Sequence, residues 1–199
     1  MNGLVFGILE KAEAQSMIVA HHYLHRRTNI QFCFGIFRDG EPVGVVTFGV
    51  PPSRHLQTGM CPTAPNAVIE LNRLWVVDAE PRNTESWFVA QALKALPCRI
   101  IVSYADSAHQ HSGFIYRALN FYFAGLTDMD RKTPRYDYLV PGKHTRSAFR
   151  SGEGAKAIKV RRLPKWRYWT VTGNRREARD LERLARWPKL AWKDFEVKS

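Results

Sequence analysis

The sequence is short of cysteine, of acidic side chains and of long apolar runs, and each shortage removes a class of protein. Cys33, Cys61 and Cys98 are the only 3 cysteines in 199 residues, and they are far apart and form no C-x-x-C pair. Neither a disulfide framework nor a zinc ribbon is built that way, so a reducing cytoplasm is the expected compartment. No apolar stretch approaches the roughly 18 residues that cross a bilayer, and no basic stretch followed by a long apolar segment stands near the start. A soluble, unsecreted chain without a membrane partner is therefore expected. Internal repeats and low-complexity blocks are also missing, which argues for an ordinary globular core.

The shortage of acids says most. Against 18 Asp and Glu stand 30 Lys and Arg, a net charge of +12. A field of that sign favours polyanions. Residues 151–199 alone hold 14 Lys and Arg against 6 Asp and Glu, a surplus of 8 in a quarter of the chain. Together with 45% hydrophobic residues, this predicts one cored domain over 1–150 and a basic extension over 151–199 that completes the sheet and contacts DNA, with the small polar run Ser151 to Ala155 as its linker.

Periodicity then places the elements. Leu4 to Leu9 reads as a strand, and Ala14, Met17, Ile18 and His21 recur at helical spacing after it. Gln31 to Phe37 and Pro42 to Val50 are β-branched and aromatic runs joined by Arg38-Asp39-Gly40-Glu41, a hairpin with a primed turn. Four prolines between 51 and 66 predict an irregular loop. Ala67 to Val77 reads as a strand whose apolar residues are interrupted by Glu70, Asn72 and Arg73 at cleft-lining positions. A helix capped by Asn83 or Thr84 runs to about Leu96, and Arg99 to Tyr104 is the next strand. Ser112 to Leu119 is helical, with Asn120 in left-handed conformation before a strand at Phe121 to Phe123. Strands at Tyr136 to Val140 and Trp166 to Val171 follow, then a helix opened by Asn174 with Glu177 as a capping box. The order predicts an α/β (α+β) fold, a mixed central sheet with helices on both faces and a basic C-terminal helical extension.

Several polar residues stand where chemistry is done. Asp106 follows a strand at its C-terminal end, the edge where open α/β sheets place ligands, and serves either as base, metal ligand or hydrogen-bond acceptor or as the N-cap of the next helix. Arg73 in an apolar strand needs a carboxylate such as Glu70, a phosphate or a wet cleft. Ser103 stands beside them or is structural. His21, His22, Tyr23 and His25 bring imidazole and phenol donors together next to Arg26 and Arg27, either a metal site or a solvated basic surface. In the extension, Lys165-Trp166-Arg167-Tyr168-Trp169 interleaves cations with aromatics, and Arg175, Arg176, Arg179 and Arg183 make a basic helix. Phosphate neutralisation and base stacking on DNA are the reading for both, a solvated helix face the alternative for the second.

Ile115-Tyr116-Arg117-Ala118-Leu119-Asn120-Phe121-Tyr122-Phe123-Ala124-Gly125 resembles the tyrosine helix and following strand of GNAT acetyltransferases. Together with Glu70-Leu71-Asn72-Arg73-Leu74-Trp75, Pro81-Arg82-Asn83, Ser103-Tyr104-Ala105-Asp106-Ser107 and the His22-Tyr23 pair, the chain resembles the Mom DNA-modification proteins of Mu-like bacteriophages over residues 15–150. That resemblance implies a GNAT-like fold and a transferase that adds an acetamide- or glycinamide-type group to adenine N6 in double-stranded DNA, in a bacterial host cell, against restriction. It gives Tyr116 the role of leaving-group acid, with Asp106, Arg73 and Ser103 beside it, and Asn72, Arg82, Asn83 and Tyr23 as substrate contacts. It also raises iron as a metal on His22 and Tyr23. The donor is acetyl-CoA or an aminoacyl donor such as glycyl-tRNA, because the turn Glu80 to Ser86 has no glycine and two acids where acetyltransferases hold a pyrophosphate. An N-acetyltransferase of a protein or small amine, or a non-catalytic nucleic-acid-binding protein, are the alternatives; a homodimer is compatible with either.

Overall fold

The computed structural model describes residues 3–109, 111–128, 131–139, 150, 152 and 157–192. Its elements follow in the order β1 (Leu4–Ile8), α1 (Lys11–His21), β2 (Phe32–Arg38), β3 (Glu41–Gly49), α2 (Arg54–Met60), β4 (Val68–Val76) and α3 (Thr84–Ala95). Then come β5 (Ile100–Asp106), α4 (Phe114–Ala118), β6 (Tyr122–Leu126), β7 (Tyr136–Leu139), β8 (Ile158–Arg161), β9 (Lys165–Val171) and α5 (Arg175–Leu184). Seven strands form one sheet in the order β1-β2-β3-β4-β5-β9-β6, and β7 with β8 makes a separate two-stranded ribbon. All pairs are antiparallel except β4 with β5. This is the mixed sheet expected from the sequence.

Local chemistry accounts for most of the elements. Asp39 (φ 52°) and Gly40 (φ 87°) take the positive angles of the predicted turn between β2 and β3, and Asn120 (φ 57°) turns the chain from α4 into β6. Asn174 accepts from the backbone amides of Arg176 and Glu177 while Glu177 reaches back, completing the capping box of α5. The alternating period of the strands sorts the core into two layers. Ile69, Leu71, Ile101 and Ala105 pack with Phe88, Val89 and Ala92 of α3 on one face. Val68, Ile100 and Val102 face the other way, against Met60 of α2 and, more peripherally, Leu181 and Ala185 of α5. Each aliphatic side chain so buried stabilises the fold by about 1.5–3 kcal/mol.

One expectation is corrected. The stretch 51–66 is not simply irregular: α2 lies between Pro52 and Pro62, and Pro65–Ala67 is a short 3-10 turn. The prolines sit only at the ends of these pieces, where a missing amide is tolerated, and Met60 is buried beneath. The strand expected at 136 forms and pairs with β8, a strand the sequence did not announce, in the separate ribbon; Val140, the end expected for it, lies outside the described residues. Within 151–199, β9 lies between β5 and β6 and shares seven register pairs with β5, so this strand is an inner member of the main sheet. Residue 150, the boundary expected from the sequence, is described, whereas residues 140–149 before it and all of the linker but residue 152 are outside the described residues.

The feature that positions the site is a bulge. Thr47 pairs with Arg73 and Phe48 with Leu71, so Asn72 is the extra residue of β4. Bulges bend a strand and increase its twist. On the other side, β4 and β5 stay paired for only three positions, ending at Glu70 with Val102, and then part. Below the gap, Gly113 (φ 79°) caps α4, and a Cβ there would run into the ring of Tyr168. Gly113→Ala is therefore expected to lower stability by about 2 kcal/mol or more, from strain and overpacking together, read as an earlier midpoint in urea denaturation with an unchanged slope.

Candidate active site

Where β4 and β5 part, a cavity of about 450 Å³ opens. Its wall includes Glu70, Asn72 and Arg73 of β4, Tyr104 and Asp106 of β5, Tyr116 of α4, the His22-Tyr23 pair, and Lys165 at the start of β9. The residues singled out at 22, 23, 72, 73, 106 and 116 are thus brought to one place from four separate stretches of chain.

Each is held by identifiable contacts. The Asn72 side-chain oxygen accepts from Thr47 Oγ1 at 2.6 Å, and its amide donates to the carbonyl of Asn29 at 2.8 Å. Both ends are engaged, so Asn72 fixes the bulge and ties down the segment after Tyr23. Asp106 accepts the backbone N–H of Ala108 at 3.1 Å and meets Lys165 Nζ at 2.6 Å. It is the cap of the turn Ser107–His109 and also the anchor of Lys165, while Ser107 donates instead to the Pro164 carbonyl. Ser103 is buried, 3.0 Å from the Leu71 carbonyl and 2.7 Å from the Tyr116 hydroxyl. A carbonyl only accepts; while it takes the serine proton, Tyr116 donates to Ser103, and a Tyr116 phenolate would receive that proton instead.

Burial sets the proton affinities. Tyr116 is pushed up to about 12, chiefly by desolvation, with the Ser103 hydrogen bond opposing. It is a neutral donor across the physiological range. Glu70 is pushed up to about 7 by burial, against the pull of Arg73 and Lys165 toward the charged form. Arg73 is shifted down by burial, with Glu70 and Tyr23 favouring its charge; its Nη1 donates to the Asn72 carbonyl at 2.5 Å, and its Nε is buried without a hydrogen-bond partner. Tyr23 is raised by burial and by Asp106, with Arg73 opposing. Strand alternation puts Glu70 on the face of Val68 and Tyr116 beneath the face of Ile69 and Leu71. A carboxyl near neutrality and a high-pKa phenol therefore look into the gap from opposite sides of the sheet.

Glu70 is the functional candidate that sequence reasoning undervalued, treating it as a cleft-lining residue and a partner for Arg73 but not as a titrating group. Its signal was present as the first polar interruption of β4, but its proton affinity depends on a burial that no periodicity reveals.

His21 and His25 are not part of that wall. His21 stacks on Trp75 with centroids 4.4 Å apart, and His25 Nδ1 lies 3.0 Å from the Val19 carbonyl. His22 is buried and its Nδ1 accepts from the Leu24 amide at 3.2 Å. Among the described residues no group of three His, Cys, Asp or Glu side chains is placed to hold a metal ion. Arg82 and Asn83 line a separate hollow of about 280 Å³ with Asp78, Glu80 and Glu85. Glu80 there is held by Arg38, whose Nε and Nη2 donate to its two oxygens at 2.8 and 2.5 Å, which leaves Asp78 and Glu85 beside Arg82. In β9, Tyr168 and Trp169 are fully buried and Trp166 packs on Phe123 and Trp192. The aromatics read as a stacking surface are thus sheet residues, and Arg167 lies over the Trp187 ring. Only Lys165 of that run reaches the cavity.

The strand order, the parting of two parallel central strands and the tyrosine helix beneath them define a GNAT-like α/β domain. Distant likeness runs to an acetyltransferase of the GNAT family from Streptococcus pneumoniae (10% identity, TM-score 0.49, 84% of this chain and 99% of that one) and an N-acetyltransferase from Staphylococcus aureus Mu50 (14%, 0.48, 84% and 98%). The chain matches the Mom protein family over residues 3–186 and belongs to it. It is 32% identical over 120 residues to the methylcarbamoylase Mom of Escherichia phage Mu, a match covering 56% of this chain and 49% of that protein. The chain thus spans about half the length of the curated relative it matches. No helix among the described residues is long and apolar enough to cross a membrane.

The origin of the Glu70 shift is open to measurement. By carbon-detected NMR its carboxyl is expected to titrate near 7. Because Arg73 and Lys165 both favour the carboxylate, Arg73→Met and Lys165→Met should each move that midpoint upward; a downward move would show that the cations are not its partners.

Proposed function

We propose that the protein transfers a small carbonyl-bearing group to the exocyclic N6 of adenine in DNA. The observation that carries this reading is the pairing, in one cavity of a Mom family member, of Glu70 poised near 7 with Tyr116 held near 12. Adenine N6 is a weak nucleophile because its lone pair is delocalised into the ring. It needs a base at the nitrogen, an activated carbon beside it and an acid at the leaving group.

The cavity supplies each part. A flipped adenine enters from the Glu70 side, where Tyr23, 41% exposed at the rim, offers a stacking face. N6 attacks the activated carbon of the donor and its proton passes to the Glu70 carboxylate. The Arg73 Nε, buried without a partner, meets the negative charge that develops on the carbonyl oxygen. The bond to the leaving group breaks, and that group takes the proton of Tyr116, which Ser103 steadies as the phenolate forms. Asn72, Asp106 and Lys165 hold the walls.

The relative from phage Mu is named for a methylcarbamoyl group. That group is an isomer of the acetamide-type group expected from the sequence, so intact mass leaves the two equal and fragmentation separates them. The donor is proposed as an activated acyl or aminoacyl ester entering on the Tyr116 side. Acetyl-CoA and an aminoacyl donor such as a charged tRNA both answer to that description.

The test is fragmentation mass spectrometry of nucleosides from cells expressing the protein. Wild type is expected to yield a modified deoxyadenosine, and Glu70→Gln and Tyr116→Phe to lower it by about 10²-fold or more. With purified protein, the wild-type rate should rise as pH climbs through about 7, as Glu70 loses its proton, and then level, because Tyr116 keeps its own until about 12. In Glu70→Gln that acid limb should vanish. Unchanged yield in both variants would refute the assignment.

A further inference from the structure

Beside the cleft lies a concentration of charge that this chemistry leaves unused. A second hollow, also about 450 Å³, is enclosed by the end of β6, the β7–β8 ribbon and the approach to β9, and Arg131, Lys132, Arg135, Arg161 and Arg162 line it. Two carboxylates answer these five cations: Asp128 pairs with Arg135 at 3.0 Å, and Asp137 pairs with Arg162. Arg131, Lys132 and Arg161 are exposed and have no carboxylate partner among the described residues. The ribbon holds them together against their own repulsion, through the register pair of Tyr136 with Arg161 and the bond from the Arg162 amide to the Arg135 carbonyl at 2.9 Å. Like charges gathered by a backbone frame around one hollow favour an anion there.

The hollow adjoins the cleft through a firm joint. Pro164 lines the first and Lys165 the second. Ser107 Oγ donates to the Pro164 carbonyl at 2.5 Å, the Lys165 amide donates to Thr127 Oγ1 at 2.8 Å, and Lys165 Nζ is fixed on Asp106. Cationic surface therefore continues from the hollow to the mouth of the cavity. A base drawn into that cavity stays bound to its sugar and to the phosphates on either side, which must leave over the rim. The arginine helix α5 is placed differently. β9 runs from Lys165 at the cleft to Val171 beside Ile100, about 20 Å at 3.4 Å per residue, and α5 begins beyond that far end.

We infer that the hollow between β6 and the β7–β8 ribbon carries the phosphodiester backbone of duplex DNA next to the base being modified. This rests on the reading of adenine in DNA as the substrate. It makes this hollow, rather than the arginines that open α5, the main phosphate contact.

Fluorescence anisotropy of a short labelled duplex over a salt series, with the full chain, tests it. Arg131→Ala with Arg161→Ala is expected to weaken binding about tenfold and to flatten the slope of log K against log salt by about 2, one per lost phosphate contact. Lys11→Ala with Lys94→Ala removes the same charge elsewhere and should keep the wild-type slope; Arg131→Lys with Arg161→Lys should restore it. In turnover the alanine pair should raise KM for DNA and leave kcat unchanged. The inference fails if the alanine pair keeps the wild-type slope, if the Lys11 and Lys94 pair falls equally, if only tRNA binding is lost, or if the wild type binds no duplex. Modified adenine made by the wild type alongside an unmoved slope would sink this surface alone. Duplex binding through the hollow with no modified adenine would sink the substrate reading instead.

Discussion

Everything in the cleft depends on the parting of β4 from β5. Two parallel strands that separate leave backbone groups without ladder partners, and buried carbonyls are costly when unmet. Here the Ser103 hydroxyl takes the Leu71 carbonyl that the ladder has abandoned, so the gap is stabilised by the same side chain that touches the Tyr116 hydroxyl. On the outer side the bulge at Asn72 bends β4, and the amide of Asn72 is spent between Thr47 and Asn29. Asn72 is thus a constructor of the site more than a contact within it.

The gap also separates two proton-transfer environments. A carboxyl and a phenol in one solvated pocket would each titrate near their ordinary values. Placed on opposite sides of a sheet, each is desolvated by its own layer, and both move upward by amounts that leave one near neutrality and the other far above it. Arg73 keeps the carboxyl from rising further. Pairs of titratable groups driven apart by their surroundings are how a single fold holds an acid and a base at one pH.

Much of this was legible in the chain, and the reasons are local. Asp-Gly at 39 and 40, Asn120 and the Asn174 to Glu177 box write their conformations within a few residues. Polar interruptions in an apolar strand marked Asn72 and Arg73, and the end of β5 marked Asp106. What was not legible is non-local. The aromatic run in β9 looks like a surface because its alternation with cations is visible, whereas the two neighbours that bury it, β5 and β6, lie tens of residues upstream. The arginines at 131 and 135 and those at 161 and 162 lie in two separate stretches of sequence, and only the pairing of β7 with β8 gathers them. Glu70 was visible as a residue but not as a base.

The placement of β9 ties the finished architecture to the order of synthesis. A strand from the last fifth of the sequence is threaded between two made earlier, and it brings Lys165 to the cleft and supports Tyr116 through the ring of Tyr168. While the ribosome is still working on the middle of the chain, β5 and β6 have no common neighbour and the cavity has no floor. Competence would then arrive all at once, after the C-terminal strand has emerged and inserted, and shortened products would be inert rather than partly active.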